Sequence, residues 1–197
     1  MFTGIIEEIG IVEKVEKDRD NIILYIQCSF LDEIKINQSI AHNGICLTVT
    51  GLNKNNYTVC VVNETIQKTN VLSWGKRDPI NLERGLKIGD RLDGHFVQGH
   101  VDIVLECIKI YNQQGSWMFE FKYPQKYAKY IVQKGSISIN GVSLTIAETD
   151  DSHNSFKVAI IPYTFNHTTF QSIKEGDSIN VEFDILTKQI IRLTGEK

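Results

Sequence analysis

One phrase occurs twice in this chain, as SIAHNGICLTVT at 39–50 and as SISINGVSLTIA at 136–147, 97 positions further on. Six of the twelve positions are identical, and two more exchange only Ile for Val. The correspondence continues in order: NETIQKTN (63–70) answers PYTFNHTT (162–169), and DPINLE (78–83) answers DSINVE (177–182). TGIIEEIGIVEKV near the start likewise answers QGHVDIVLECIKI from residue 98. Two copies of about 95 residues are too few and too long for a solenoid, whose units run roughly 20 to 50 residues and stack in arrays. A unit of that size can bury a modest core by itself. The chain of 197 residues is therefore expected to fold as two tandem domains.

Each half is rich in β-branched runs, among them NIILYIQC, ICLTVTGL, YTVCVVNE, VSLTIAET and FKVAII, separated by polar or Gly-containing breaks. Asn43-Gly44 and Asn140-Gly141 each lie between two such runs, the strongest short-range sign of a two-residue type I′ hairpin. PQKYAKYIVQKG (124–135) begins with Pro and places Tyr127, Tyr130 and Ile131 at helical spacing, which predicts a short helix, and FLDEIK (30–35) holds the matching place in the first half. About six strands per half suit a small closed Greek-key barrel better than an open sheet with bare edges. The fold class is mainly β: two tandem six-stranded Greek-key barrels related by duplication, with a short C-terminal helix. The glycine-bearing stretch 84–96 is expected to connect the halves, giving units 1–94 and 95–185 and a helical tail 186–197.

After the first turn, Ile45, Leu47 and Val49 share one face of their strand and Cys46, Thr48 and Thr50 the other. The second copy opposes Val142, Leu144 and Ile146 to Ser143, Thr145 and Ala147. The small polar face is a solvated surface by base rate, or a groove that reads a planar heterocycle through hydroxyls and backbone groups, in which case there are two ligand sites per chain. In GHFVQGH (94–100), His95 and His100 stand five apart, which sends their rings to opposite faces of a strand and argues against a metal pair. By the repeat, His100 takes the place of Ile5, and Cys46 that of Ser143.

Composition excludes several classes. A net charge of −3 and a pI near 6.0, with no Lys/Arg cluster, give no electrostatic footprint for nucleic acid. No run approaches the ~18 apolar residues of a membrane span. The start MFTGIIEEIG has no basic segment before an apolar stretch, so no secretory signal is expected and a cytoplasmic location is. Cys28, Cys46, Cys60 and Cys107 form no C-x-x-C pair and are expected to be free thiols.

MFTGIIEE, SIAHNGICLTVT, NETIQKTN, GHFVQGHVD, KGSISINGVSLTIAE, IPYTFNHTTF and INVEFD, spanning nearly the whole chain in this order, resemble the riboflavin synthase family. The resemblance implies two similar six-stranded Greek-key barrels and a C-terminal helix assembled as a homotrimer, with no cofactor and no metal. It implies a dismutation in which one 6,7-dimethyl-8-ribityllumazine gives a four-carbon unit to a second, yielding riboflavin and 5-amino-6-ribitylamino-2,4-pyrimidinedione. Two substrate molecules would meet in each active site, between the N-terminal barrel of one subunit and the C-terminal barrel of a neighbour. Lumazine synthase is the implied protein partner.

Carried over by position, the N-terminal site would use Gly4, Ile5, Ile6, Cys46, Leu47, Thr48, Val62, Asn63, Glu64, Thr65, Ile66 and Gln67, with Gly99, His100 and Val101. The C-terminal site would use Lys134, Ser143, Leu144, Thr145, Ile161, Pro162, Tyr163, Thr164, Phe165 and Asn166. Candidates for direct chemistry are Cys46, Ser39, His100, Ser143, Thr145 and Asp184, with His100 as proton carrier and Cys46 or a hydroxyl orienting or adding to a ring. Cys46 also has a purely structural reading, and Phe2 reads either as a ring-stacking lid or as core. Tyr163 departs from the family's usual Glu, which Glu64 keeps in the first half, and ILTKQIIRLTGEK is a short tail. The rival readings are a lumazine- or flavin-carrying antenna protein without turnover, and a barrel that serves only as an interaction module. Antenna relatives tend to lose the GHFVQGH and AHNG residues that this chain keeps.

Overall fold

In the computed structural model, which describes residues 1–195, both Asn-Gly pairs turn the chain as two-residue hairpins. All four residues have positive φ, 44° and 79° at Asn43 and Gly44 and 47° and 82° at Asn140 and Gly141. The first turn joins β3 (Ser39–His42) to β4 (Ile45–Leu52), with His42 facing Ile45 across it. Together with β1 (Glu8–Asp18), β2 (Asn21–Gln27), β5 (Tyr57–Val61) and β6 (Pro79–Arg84), they close a barrel in the order β1-β2-β5-β4-β3-β6. The second half repeats this with β7 (Ile103–Gln113), β8 (Ser116–Lys122), β9 (Ser136–Ile139), β10 (Val142–Asp150), β11 (Ser155–Ile160) and β12 (Ser178–Phe183), in the order β7-β8-β11-β10-β9-β12. All pairings are antiparallel, and the jump from the second strand of each barrel to its fifth is the Greek key. Bulges recur at matching places, in β1 beside Val12 and in β7 beside Cys107, and bend each sheet toward closure.

Between β5 and β6 lies α1 (Asn63–Lys68), and between β11 and β12 lies α2 (Pro162–His167); the C-terminal helix is α3 (Ile185–Thr194). Glu196 and Lys197, the end of the expected tail, lie outside the described residues. The helix expected at 124–135 is a 3₁₀ turn over Gln125–Tyr130, and its counterpart is a single turn over Leu31–Glu33. Both stretches bridge two strands of one barrel. Tyr127 and Tyr130 pack on Phe183, so the apolar spacing that reads as helical reports burial on a barrel end.

The alternation in β4 is as the sequence reads: Ile45, Leu47 and Val49 are buried, while Cys46 is half-buried and Thr48 and Thr50 are exposed. Barrel 1 encloses an aliphatic core that includes Val12, Leu24, Ile26 and Val59, whereas barrel 2 is filled with Phe119, Phe121, Phe156 and Phe183. His42 is wholly buried in barrel 1. Its Nδ1–H donates to the Ile40 carbonyl (3.0 Å), leaving Nε2 to accept from the Tyr57 hydroxyl at 2.7 Å.

The barrels are stitched by buried asparagines. Asn81 Nδ2 donates to the Asn140 carbonyl (2.9 Å), and Asn180 Nδ2 to the Asn43 carbonyl (3.0 Å). Asn81 Oδ1 accepts from Thr169 N (2.7 Å) and Asn180 Oδ1 from Asn70 N (2.9 Å). The Asn of each hairpin and the Asn of each "IN" motif thus meet across a pseudo-two-fold axis.

The chain from 85 to 102 holds no regular strand. It includes the expected connection and also a crossing. Phe2 and Val97, equivalent by the repeat, pair back to back, with Phe2 N donating to Val97 O (2.7 Å) and Val97 N to Phe2 O (3.1 Å). Phe2 is fully buried against Ala41 and Val97, which makes it core and not a lid.

Candidate ligand pockets

The crossing decides what lines each pocket. Gly99 O accepts from Cys46 N on barrel 1 (2.8 Å), and Gly4 O accepts from Ser143 N on barrel 2 (2.7 Å). Each glycine lies so close to its strand that an added Cβ would stand 2.6 Å from the Cβ of Cys46 or of Ser143, and each has positive φ (79° and 78°). Only glycine meets both conditions without strain.

The family resemblance groups Gly4, Ile5 and Ile6 with the N-terminal site, but in the structure Ile5 borders the Ser143 pocket and Ile6 packs on the core of barrel 2. The leading segment of each repeat crosses to the other barrel, and reading the copies as self-contained misplaces it.

The barrel 1 pocket, about 400 Å³, is lined by Ile45, Cys46, Glu64, Thr65, Lys68, Thr69, Gly99, His100 and Val101. Glu64 is paired with Lys68 at 2.7 Å, and both are exposed. His100 and Cys46, which belong to different copies of the sequence, meet here. Leu47 turns its side chain into the barrel core, so only its backbone is available to a ligand. Ile66 packs on the same core, while Val62, Asn63, Gln67 and Thr48 are exposed near the rim elements without bordering the cavity. Ser39 sits on β3 opposite Thr48 and does not border the cavity either.

The barrel 2 pocket, about 520 Å³, is lined by Ile5, Asp93, Gly94, Lys134, Ser136, Ser143, Leu144, Thr145, Ala147, Ala159, Ile161 and Thr164. Lys134 is held at φ 67° with its N–H on the Ile146 carbonyl (2.8 Å). Pro162 opens α2, and Tyr163 stacks on His167 (ring centroids 4.2 Å). Phe165 stacks on Trp117 (3.7 Å) and packs on the core; like Asn166, it does not border the cavity.

A buried histidine that the repeat comparison does not single out stands behind this pocket, bonded to one of its lining residues. His95 Nδ1 lies 2.7 Å from the Ser143 hydroxyl. Burial lowers its pKa, against the opposing pull of the Asp184 carboxylate. Asp184 itself caps α3, accepting from Leu186 N at 2.9 Å. His95 lies outside the blocks that the two repeats share, so the repeat comparison does not draw attention to it. GHFVQGH is not a strand, so its two rings are parted by the crossing and not by strand alternation: His100 lies at the barrel 1 pocket and His95 on Ser143 of barrel 2. Among the described residues, no three of His, Cys, Asp and Glu come together as a metal-ligand set, and no helix is long and apolar enough to cross a membrane. The four cysteines are free.

Fold and pockets together define a pair of fused antiparallel barrels, each carrying one pocket of a common build. The family model of the lumazine binding domain matches residues 3–85 and again 98–184. Riboflavin synthase of Bacillus subtilis is 40% identical over 98% of this chain and 89% of its own length. That of Actinobacillus pleuropneumoniae is 39% identical over 96% and 88%, and that of Schizosaccharomyces pombe 39% over 98% and 93%. Among solved structures, LumP complexed with riboflavin superposes with a TM-score of 0.86 at 23% identity, covering 93% of this chain and 99% of that one. The chain belongs to the riboflavin synthase family.

Proposed function

We propose that this chain catalyses the dismutation of two molecules of 6,7-dimethyl-8-ribityllumazine, moving a four-carbon unit from one to the other to form riboflavin and 5-amino-6-ribitylamino-2,4-pyrimidinedione. This is a transfer reaction without a cofactor, carried out in the cytoplasm on the product of lumazine synthase. The observation that carries the reading is a pair of pockets of one build with different reactive pairs, Cys46 with His100 in one and Ser143 with His95 in the other. A reaction between two identical molecules needs two related pockets, and its donor and acceptor roles need different side chains.

One lumazine loses a proton from its C7 methyl group, and its partner becomes electrophilic when a nucleophile adds at C7. A neutral His95 beside the Ser143 hydroxyl is built to take a proton from it. On barrel 1, His100 would carry the methyl proton and Cys46 would orient the ring. Thr145 lines the same pocket as Ser143, and Asp184 acts through its charge near His95. Holding the two rings face to face can lower the barrier by about 7 to 11 kcal/mol.

The units 1–94 and 95–185 would each bind one lumazine, with the site formed between subunits of a homotrimer. Leu186, Ile190 and Leu193, at i, i+4 and i+7 of α3, are 56%, 60% and 84% exposed, an apolar stripe suited to self-association. The test is to incubate the protein with 6,7-dimethyl-8-ribityllumazine alone. Equal amounts of riboflavin and the pyrimidinedione are expected. Binding without turnover would instead favour a carrier, and absence of binding would refute both.

A further inference from the structure

Two buried carboxylates make similar arrangements at two places, and neither borders the Cys46 or the Ser143 pocket, although Glu83 lines a separate cleft of about 250 Å³ with Thr3 and Ile5. Glu182 on β12, 2% exposed, accepts from three consecutive N–H groups, those of Gln98 (2.7 Å), Gly99 (2.8 Å) and His100 (2.8 Å). Glu83 on β6, 4% exposed, accepts from Thr3 N (2.6 Å), Thr3 Oγ1 (2.7 Å) and Gly4 N (2.9 Å). Successive N–H groups aimed at one point form an anion-binding concavity, and a carboxylate filling it makes charge-assisted bonds. The opposite edge of each segment is the glycine carbonyl that accepts from Cys46 or from Ser143. Each crossing segment is therefore gripped by one barrel and laid on the other.

We propose that Glu182 and Glu83 are positioning residues acting across the barrel boundary: Glu182 on barrel 2 sets His100 and closes the Cys46 pocket of barrel 1, and Glu83 on barrel 1 sets Ile5 and closes the Ser143 pocket of barrel 2. An ionised carboxylate accepts on both oxygens, whereas a carboxamide presents an N–H₂ to the backbone donors. Replacing Glu by Gln thus keeps the shape but turns at least one bond into a donor-donor conflict. Burial acts on both carboxyls in the other direction, raising their pKa, so the amide donors are what hold them in the accepting form.

The consequence is crossed. A residue of barrel 2 governs access to a thiol on barrel 1, while a residue of the thiol's own barrel does not. Cys46 reports on this directly. Alkylation by iodoacetamide, located by mass spectrometry, is to be compared in wild type, Glu182→Gln, Glu182→Asp and Glu83→Gln, with half-buried Cys28 and Cys60 of barrel 1 as internal references. Glu182→Gln is expected to raise the Cys46 rate roughly tenfold or more, the equivalent of one charge-assisted hydrogen bond. The reference thiols should not change, and Glu182→Asp, which keeps the charge, should restore part of the protection. Glu83→Gln should leave Cys46 at the wild-type rate but, in a Ser143→Cys background, speed alkylation at position 143.

Equal effects of Glu182→Gln and Glu83→Gln on Cys46, or none from either, would overturn the proposal in favour of a general stabilising role. If Glu182→Gln does not fold, wild-type hydrogen exchange decides. The Gln98, Gly99 and His100 amides should be protected as strongly as those of the barrel strands, and exchange at open-loop rates would overturn the assignment. The link from closed pockets to turnover rests on the proposed lumazine reaction, but alkylation and exchange need no substrate and remain readable if that reading fails.

Discussion

The His42–Tyr57 pair offers a quantitative test of how the two barrels solve one packing problem differently. By the repeat, Ile139 and Phe156 stand at the corresponding places in barrel 2, so an apolar pair replaces a hydrogen-bonded one. Burial depresses the His42 pKa from 6.5 to about 4. The sign follows from that depression. Above pH 6.5 the ring is neutral in both states, and as pH falls from 6.5 toward 4 the unfolded chain takes up a proton that the folded chain refuses. Folding stability is therefore lost on acidification across this window, by about 3 kcal/mol in full. His42→Ile alone removes this dependence but leaves a wholly buried Tyr57 hydroxyl without its partner, a cost of about 1 to 3 kcal/mol at pH 7. His42→Ile with Tyr57→Phe recreates the barrel 2 solution and should recover most of that loss. The assay is urea unfolding of the three proteins at pH 7 and pH 4.5, read as differences, so that the buried carboxyls common to all cancel. A double variant whose stability falls with acid as steeply as the wild type would refute the burial argument. One no more stable than the single variant at pH 7 would refute the pairing argument.

Gly99→Ala should cost about 1 to 2 kcal/mol for a non-glycine residue at φ 79°, beyond the clash with Cys46, and chemical denaturation checks it; an unchanged midpoint would mean that the segment lies elsewhere. Phe165→Ala should lower stability by at least about 1 kcal/mol and shift the fluorescence of Trp117 by uncovering its stacked face, and an unaltered emission spectrum would contradict the stack. Ser143→Ala is expected to slow riboflavin formation by about 100-fold or more, as for loss of a positioned proton-transfer group, while His153→Ala in an exposed turn should not; equal rates would remove Ser143 from the chemistry. Ile190→Glu with Leu193→Glu should sediment as a monomer that keeps its barrel spectrum, whereas an unchanged mass would exclude α3 from the subunit contact.

Barrels, hairpins and strand faces were legible because they depend on local pattern. Asn43-Gly44 fixes a turn, and the turn fixes which of Ile45 and Cys46 points inward. The asparagine stitch was printed twice, in "HNG" and "IN" and again in "ING" and "IN", yet it was silent, since nothing in a single strand says that its polar side chain is destined for another domain. His95 was visible as a residue but lies outside the blocks that the repeats share. The short α1 and α2 were hidden for a different reason: in six residues each they lack the length for a periodic signal.

The crossing was the least legible feature and the one with the most chemical effect. A comparison of repeats by itself assigns Cys46 and His100 to different copies, and only the family resemblance puts them in one site. Because residues 2–5 and 97–100 exchange barrels, the side chain after the crossing glycine always lands in the pocket of the other copy: His100 beside Cys46, Ile5 beside Ser143. His95 reaches Ser143 from the same segment before it crosses. One stretch of six residues therefore carries the imidazole that lines one pocket and, at its opposite end, the imidazole bonded to the lining serine of the other. A change in its course, such as one made at Glu182, alters the histidine of one pocket and strains that of the other, which ties the two pockets to a single backbone.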